Sequence, residues 1–83
     1  MKAVKMFEEL DYERFIDLNN GNIIYNKIIY TDYTTYASVT KTVKFNLEKK
    51  KVYVTFSENK TCGLSIELLN AINKQMKELR WIE

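Results

Sequence analysis

Histidine is absent from this chain, and with it the commonest catalytic base and metal ligand. Cysteine occurs once, at Cys62, so no internal disulfide can form. With no histidine partner and no cationic cluster to activate it, Cys62 reads as an inert thiol rather than a nucleophile. Long apolar runs are missing too: no stretch approaches the roughly 18 consecutive apolar residues of a spanning helix. The opening Met1-Lys2-Ala3-Val4-Lys5-Met6-Phe7-Glu8-Glu9 turns acidic too soon for a signal peptide. The expectation is a protein of the cytoplasm with no membrane partner. Neither sign of charge dominates. Thirteen basic residues against eleven acidic leave a formal charge of +2, which argues against a polyanion mimic and gives only weak support to nucleic-acid binding. No repeat, linker or low-complexity tract interrupts the 83 residues, and 9.9 kDa leaves room for one domain, 1–83.

What is present is periodic. Residues 2–10 read as a short amphipathic helix, with Ala3, Met6, Phe7 and Leu10 at i, i+3, i+4 and i+7. A hairpin follows. Asn20-Gly21 suits a type I′ turn, which needs positive φ at both central residues. With that pair as the loop, Leu18 faces Ile23, Ile16 faces Tyr25, and Tyr12 meets Ile29 further down. Arg14 and Lys27 fall on the same apolar face, so they either snorkel at its rim or are shifted by a bulge. Residues 31–36 are polar and turn-prone and read as a connection. Ala37, Val39, Val43, Phe45 and Leu47 then alternate with polar residues, broken at Lys41, and the alternation resumes with Val52, Val54 and Phe56. A turn centred on Lys49-Lys50 pairs Leu47 with Val52, Phe45 with Val54 and Val43 with Phe56. After a loop over 58–63, Ser65 fits an N-cap, with Leu64 and Leu69 as a hydrophobic staple and Glu67 in the first turn. The helix is expected to run to about Ile82, with Leu68, Leu69, Ile72, Met76 and Leu79 as its apolar stripe and Lys74, Gln75, Lys77 and Glu78 off it.

The order α-β-β-β-β-α, with one apolar face per hairpin and two amphipathic helices, predicts an α+β two-layer sandwich. Its four-stranded antiparallel sheet is made of two hairpins and carries both terminal helices on one face. A core this small supplies only about 3–5 kcal/mol, which makes a homodimer plausible on energetic grounds.

Two segments match a known pattern. Met6-Phe7-Glu8-Glu9-Leu10-Asp11-Tyr12-Glu13 at one end, and Leu64-Ser65-Ile66-Glu67-Leu68-Leu69-Asn70-Ala71-Ile72-Asn73-Lys74-Gln75 with Glu78-Leu79-Arg80-Trp81 at the other, resemble a family of small uncharacterised proteins from phages and prophages of low-GC Gram-positive bacteria. Asn22-Ile23-Ile24-Tyr25 and Leu47 to Tyr53 resemble its hairpin strands. The chain departs from that pattern at Asp11 and Arg80, where the family tends to have glycine. Asp11 must then close the first helix without the residue that most easily adopts a left-handed conformation. The resemblance implies a phage or prophage context and brings no active site with it.

No catalytic residue, cofactor or metal site is expected. Glu8, Glu9, Asp11 and Glu13 do not converge on one face and read as a solvated helix end. Asn59-Lys60-Thr61 is a chance match to a glycosylation sequon. Tyrosine is more informative: four of six (Tyr25, Tyr30, Tyr33 and Tyr36) lie within residues 25–36. Tyr25 belongs to the core. Tyr30, Tyr33 and Tyr36 stand either as a partner-binding loop, since tyrosine gives rigid amphipathic contact area, or as packing over the sheet edge. Phe15, Ile24 and Ile28 fall on the sheet face opposite the helices, and such apolar patches mark interfaces.

The leading expectation is a small non-enzymatic binding protein, encoded by a phage or prophage, whose partner is a host protein or a second copy of itself; an anti-defence inhibitor of the anti-CRISPR kind is a subclass. The alternative is a single-stranded nucleic-acid binder on the open sheet face. There Tyr53 would stack bases while Lys44, Lys49 and Lys51 contact phosphates.

Overall fold

The computed structural model of the chain describes residues 1–17, 19–32, 34, 37–57 and 63–82, and the backbone alone of Tyr30, Asp32 and Ala37. The elements run α1 (Ala3–Glu9), β1 (Glu13–Ile16), β2 (Ile23–Asp32), β3 (Ala37–Asn46), β4 (Lys51–Phe56) and α2 (Ile66–Glu78). The strands form one antiparallel meander in the order β1-β2-β3-β4. β2 and β3 are longer than the sequence suggests. Thr31 and Asp32 pair with Ser38 and Ala37 rather than sitting in a connection.

Both hairpins are offset by two residues from the expected register, for the same reason. Ile23 pairs with Ile16 and Tyr25 with Arg14, while Phe45 pairs with Val52 and Val43 with Val54. Each turn is a four-residue loop rather than a two-residue one. Asp17 N–H donates to the Asn22 carbonyl at 2.8 Å, so the first loop lies between those two residues. Its last residue, Gly21, is left-handed at φ 72°. The second loop is 47–50, and Lys50 takes that place at φ 53°. At each opening a short polar side chain holds the turn: Asp17 Oδ1 accepts from Asn19 N–H at 3.0 Å, and Asn46 Oδ1 accepts from Lys49 N–H at 2.9 Å. A slip of two preserves the side-chain period, so β1, β4 and the paired residues of β2 up to Ile28 keep their expected faces; the bulge between Ile28 and Tyr30 shifts the alternation beyond it.

The core lies under that face. Ile23, Tyr25, Val43 and Phe45 from the sheet meet Phe7 of α1, Tyr12, and Leu68, Ala71 and Ile72 of α2. Phe7 stacks on Tyr25 with ring centroids 3.7 Å apart and meets Phe45 edge-on at 6.2 Å. Trp81, just past α2, packs 6.2 Å from Phe45. Both helices therefore cover one side of the sheet and leave the other open. α2 also caps α1: Ala3 N–H, at the start of α1, donates to Glu78 Oε2 at the end of α2 at 2.6 Å.

Both helices close in the same way. Tyr12 N–H bonds the Phe7 carbonyl and Asp11 N–H that of Glu8; Trp81 N–H bonds the Met76 carbonyl and Arg80 N–H that of Lys77. This is the Schellman arrangement, and it forces a left-handed residue at Asp11 (φ 68°) and Arg80 (φ 61°). Because of the second of these, α2 stops at Glu78 instead of reaching Ile82. Ser65 does cap it, accepting Leu68 N–H at 3.1 Å. Its buried stripe is Leu68, Ala71, Ile72 and Gln75; the staple residues Leu64 and Leu69 stay largely exposed. Gln75, expected on the polar side, is buried because its Oε1 accepts the Tyr25 hydroxyl at 2.6 Å. Among the described residues no helix is long and apolar enough to cross a membrane.

Candidate protein-binding face

The open face of the sheet follows from the register. β1 contributes its odd residues, β2 its even residues up to Ile28, β3 its even residues and β4 its odd ones. One continuous row crosses all four strands: Phe15 beside Ile24, Ile24 beside Lys44, Lys44 beside Tyr53. The two aromatics stand at its ends, with Phe15 47% and Tyr53 39% exposed. The next row is Glu13, Asn26, Thr42 and Thr55. There Thr42 donates its hydroxyl hydrogen to Asn26 Oδ1 at 2.8 Å, which leaves that row's centre internally satisfied. Ile28 opposite Thr40 comes after that, and beyond the bulge at Ile28/Tyr30 the hydroxyls of Thr31 and Ser38 bond each other at 3.2 Å.

This geometry regroups the sequence candidates. Phe15 and Ile24 are direct neighbours, and they share their row with Lys44 and Tyr53, which sequence reasoning assigns to a competing function. Ile28 is 62% exposed but stands apart, about 13 Å along the strand from Ile24 with polar Asn26 between. Lys51 joins the face opposite Asn46, whereas Lys49 sits in the exposed turn. Tyr30 pairs across from Val39. Tyr33 and Tyr36 lie outside the described residues, as do Cys62, the Asn59–Thr61 sequon and the Leu18 side of its proposed rung.

Electrostatically the face is mixed rather than basic. Lys44 and Lys51 lie on the β3–β4 side, Glu13 and Asp17 on the β1 side. The Asp17 carboxyl is held below the ordinary aspartate value, chiefly by the Asn19 N–H and the Asn20 side-chain amide, with the Lys44 charge adding to the effect. The signal that could have located Asp17 is its spacing: an Asx residue four before a left-handed position recurs as Asn46 before Lys50. No protein-family model, curated protein or solved structure matches the chain.

Proposed function

We propose that this chain is a non-enzymatic binding protein that works by protein–protein contact through its open sheet face, and that the first occupant of that face is a second copy of the chain. The observation that carries this is the Phe15–Ile24–Lys44–Tyr53 row with its mixed charges. Two such faces are self-complementary. A two-fold axis along the strands lays β1 of one copy over β4 of the other and β2 over β3, which sets Phe15 against Tyr53, Ile24 against Lys44 and Asp17 against Lys51. Burying the row would also supplement a core too small to supply more than about 3–5 kcal/mol alone. The terminal motifs support a phage or prophage origin. With it comes the wider reading, a cytoplasmic anti-defence protein that occupies a host protein, with Tyr30, Tyr33 and Tyr36 as its candidate contacts.

A charge reversal tests the pairing. Light scattering at micromolar concentration should give a dimer mass for the native chain, and Lys51→Glu, which sets a second carboxylate against Asp17 of the other copy, should shift it toward the monomer. A monomeric native chain contradicts the proposal, as does a Lys51→Glu chain that dimerises as tightly.

Tyr53 beside Lys44, one pair from Lys51, keeps a second reading in play: a single strand laid across the same face. In that case affinity for mixed-sequence DNA or RNA would fall with salt at a slope of about −0.7 per phosphate contact. The near-neutral face favours the first reading, and no binding tighter than about 100 μM at physiological salt is expected in a fluorescence titration. Micromolar binding weakened by Tyr53→Ala and Lys44→Ala would reverse that preference.

A further inference from the structure

The helix-covered side of the sheet, away from the proposed dimer contact, holds a cleft of about 290 Å³. Its walls are mostly apolar: Leu10 and Tyr12 beyond α1, Phe56 of β4 and Leu68 of α2. Lys27 and Lys41 both line it. Lys27 and Lys41 are direct cross-strand partners, so like charges stand opposite each other on the face that elsewhere forms the core, a destabilising arrangement in isolation. Lys41 is 8% exposed. Its Nζ donates to the Gly63 carbonyl at 3.0 Å, which uses one of its three N–H donors. The Lys27 Nζ lies 5.7 Å from the centroid of the Tyr12 ring. No carboxylate is found among the described residues that line the cleft.

A buried cation is costly unless it is paired with an anion, and two cations facing each other across one strand pair share that need. We propose that this cleft binds a small carboxylate with a compact apolar body, the carboxylate bridging Lys27 and Lys41 and the body resting against Tyr12, Phe56 and Leu68. The volume is at the low end for small-molecule sites, about 300 Å³, which selects a short chain or a single ring. The second lysine supplies the specificity, because an alcohol or amine of the same shape cannot answer two ammonium groups.

Titration of ¹⁵N-labelled protein with octanoate, octanol and octylammonium tests this. Octanoate should shift the amides of Lys27, Lys41 and Gly63 saturably at millimolar concentration or below, and the other two probes should not. Lys41→Met should weaken octanoate binding by about tenfold or more, as loss of a charge-assisted bond does, while Lys41→Arg retains it. If Lys41→Met does not fold, Lys27→Met, at a half-buried position, serves in its place. Absence of saturable shifts up to about 10 mM octanoate overturns the proposal, as does equal binding of octanol. So does octanoate binding that emerges only in Glu58→Gln, since the chain's own carboxylate would then be the anion that answers the lysines.

Discussion

Asp17 illustrates how one side chain sets the geometry of a sheet. Its carboxylate accepts the Asn19 N–H at 3.0 Å and the Asn20 side-chain amide at 3.1 Å, and it opens a four-residue loop where Asn20-Gly21 alone suggests two. Because the folded state lowers its pKa, the stabilisation is present above the unfolded value, about 3.9, and is lost as pH falls through the folded one. Asp17→Ala should therefore lower Tm at neutral pH, with the gap from the native chain closing below about pH 4, as thermal melts across that range would show. Among the described residues, Asp11, Lys50 and Arg80 hold left-handed conformations without being glycine. Replacing Lys50 or Arg80 by glycine removes steric cost while adding unfolded-state freedom. Each variant should gain about 0.5–1 kcal/mol in urea unfolding, with an unchanged slope. The left-handed place at Asp11 is legible in part, since aspartate tolerates that conformation better than most residues. The one at Lys50 is not, because a lysine carries no turn signal and only its spacing from Asn46 marks it.

The elements depend on contacts that no local pattern displays. α1 has seven residues, too few to persist alone, and its existence rests on the Phe7–Tyr25 stack and the Glu78 cap. Phe7→Ala should cost about 3–5 kcal/mol, the whole expected stability of such a core, so loss of near-UV circular dichroism at 25 °C is the expected result. Glu78→Ala should cost about 1 kcal/mol, the ordinary value of a lost cap. Tyr25→Phe leaves the buried Gln75 Oε1 without its donor, and a midpoint shift equivalent to about 1–3 kcal/mol should follow. Burial also raises the Tyr25 pKa, in keeping with a phenol that stays protonated as the donor. Strand identities are readable because a period of 2 survives a slip of two, and helix identities because a period of 3.6 does not depend on pairing register. Gln75 is readable only by position, at i+7 from Leu68 with Ala71 and Ile72 between; its polar side chain masks that spacing, and the partner that satisfies it lies 50 residues away in sequence.

At the scale of the molecule, the meander turns one side of the sheet into a core and leaves the other as a patterned surface. The sequence alone places Phe15 and Ile24 away from the helices. That they align with Lys44 and Tyr53 depends on the loop lengths, which is why two separate candidate sets merge only in three dimensions. Within one chain, Phe15 and Tyr53 sit at opposite ends of their row, three strand spacings or about 14 Å apart. Proton–proton Overhauser contacts do not span that gap, so a contact between these two rings must come from different copies. The direct measurement is an isotope-filtered Overhauser experiment on an equal mixture of labelled and unlabelled chains. Face-to-face pairing is expected to give cross-peaks between the Phe15 ring of one copy and the Tyr53 ring of the other. Intermolecular contacts confined to the β4 edge, or none at all in a sample of single-chain mass, would contradict it.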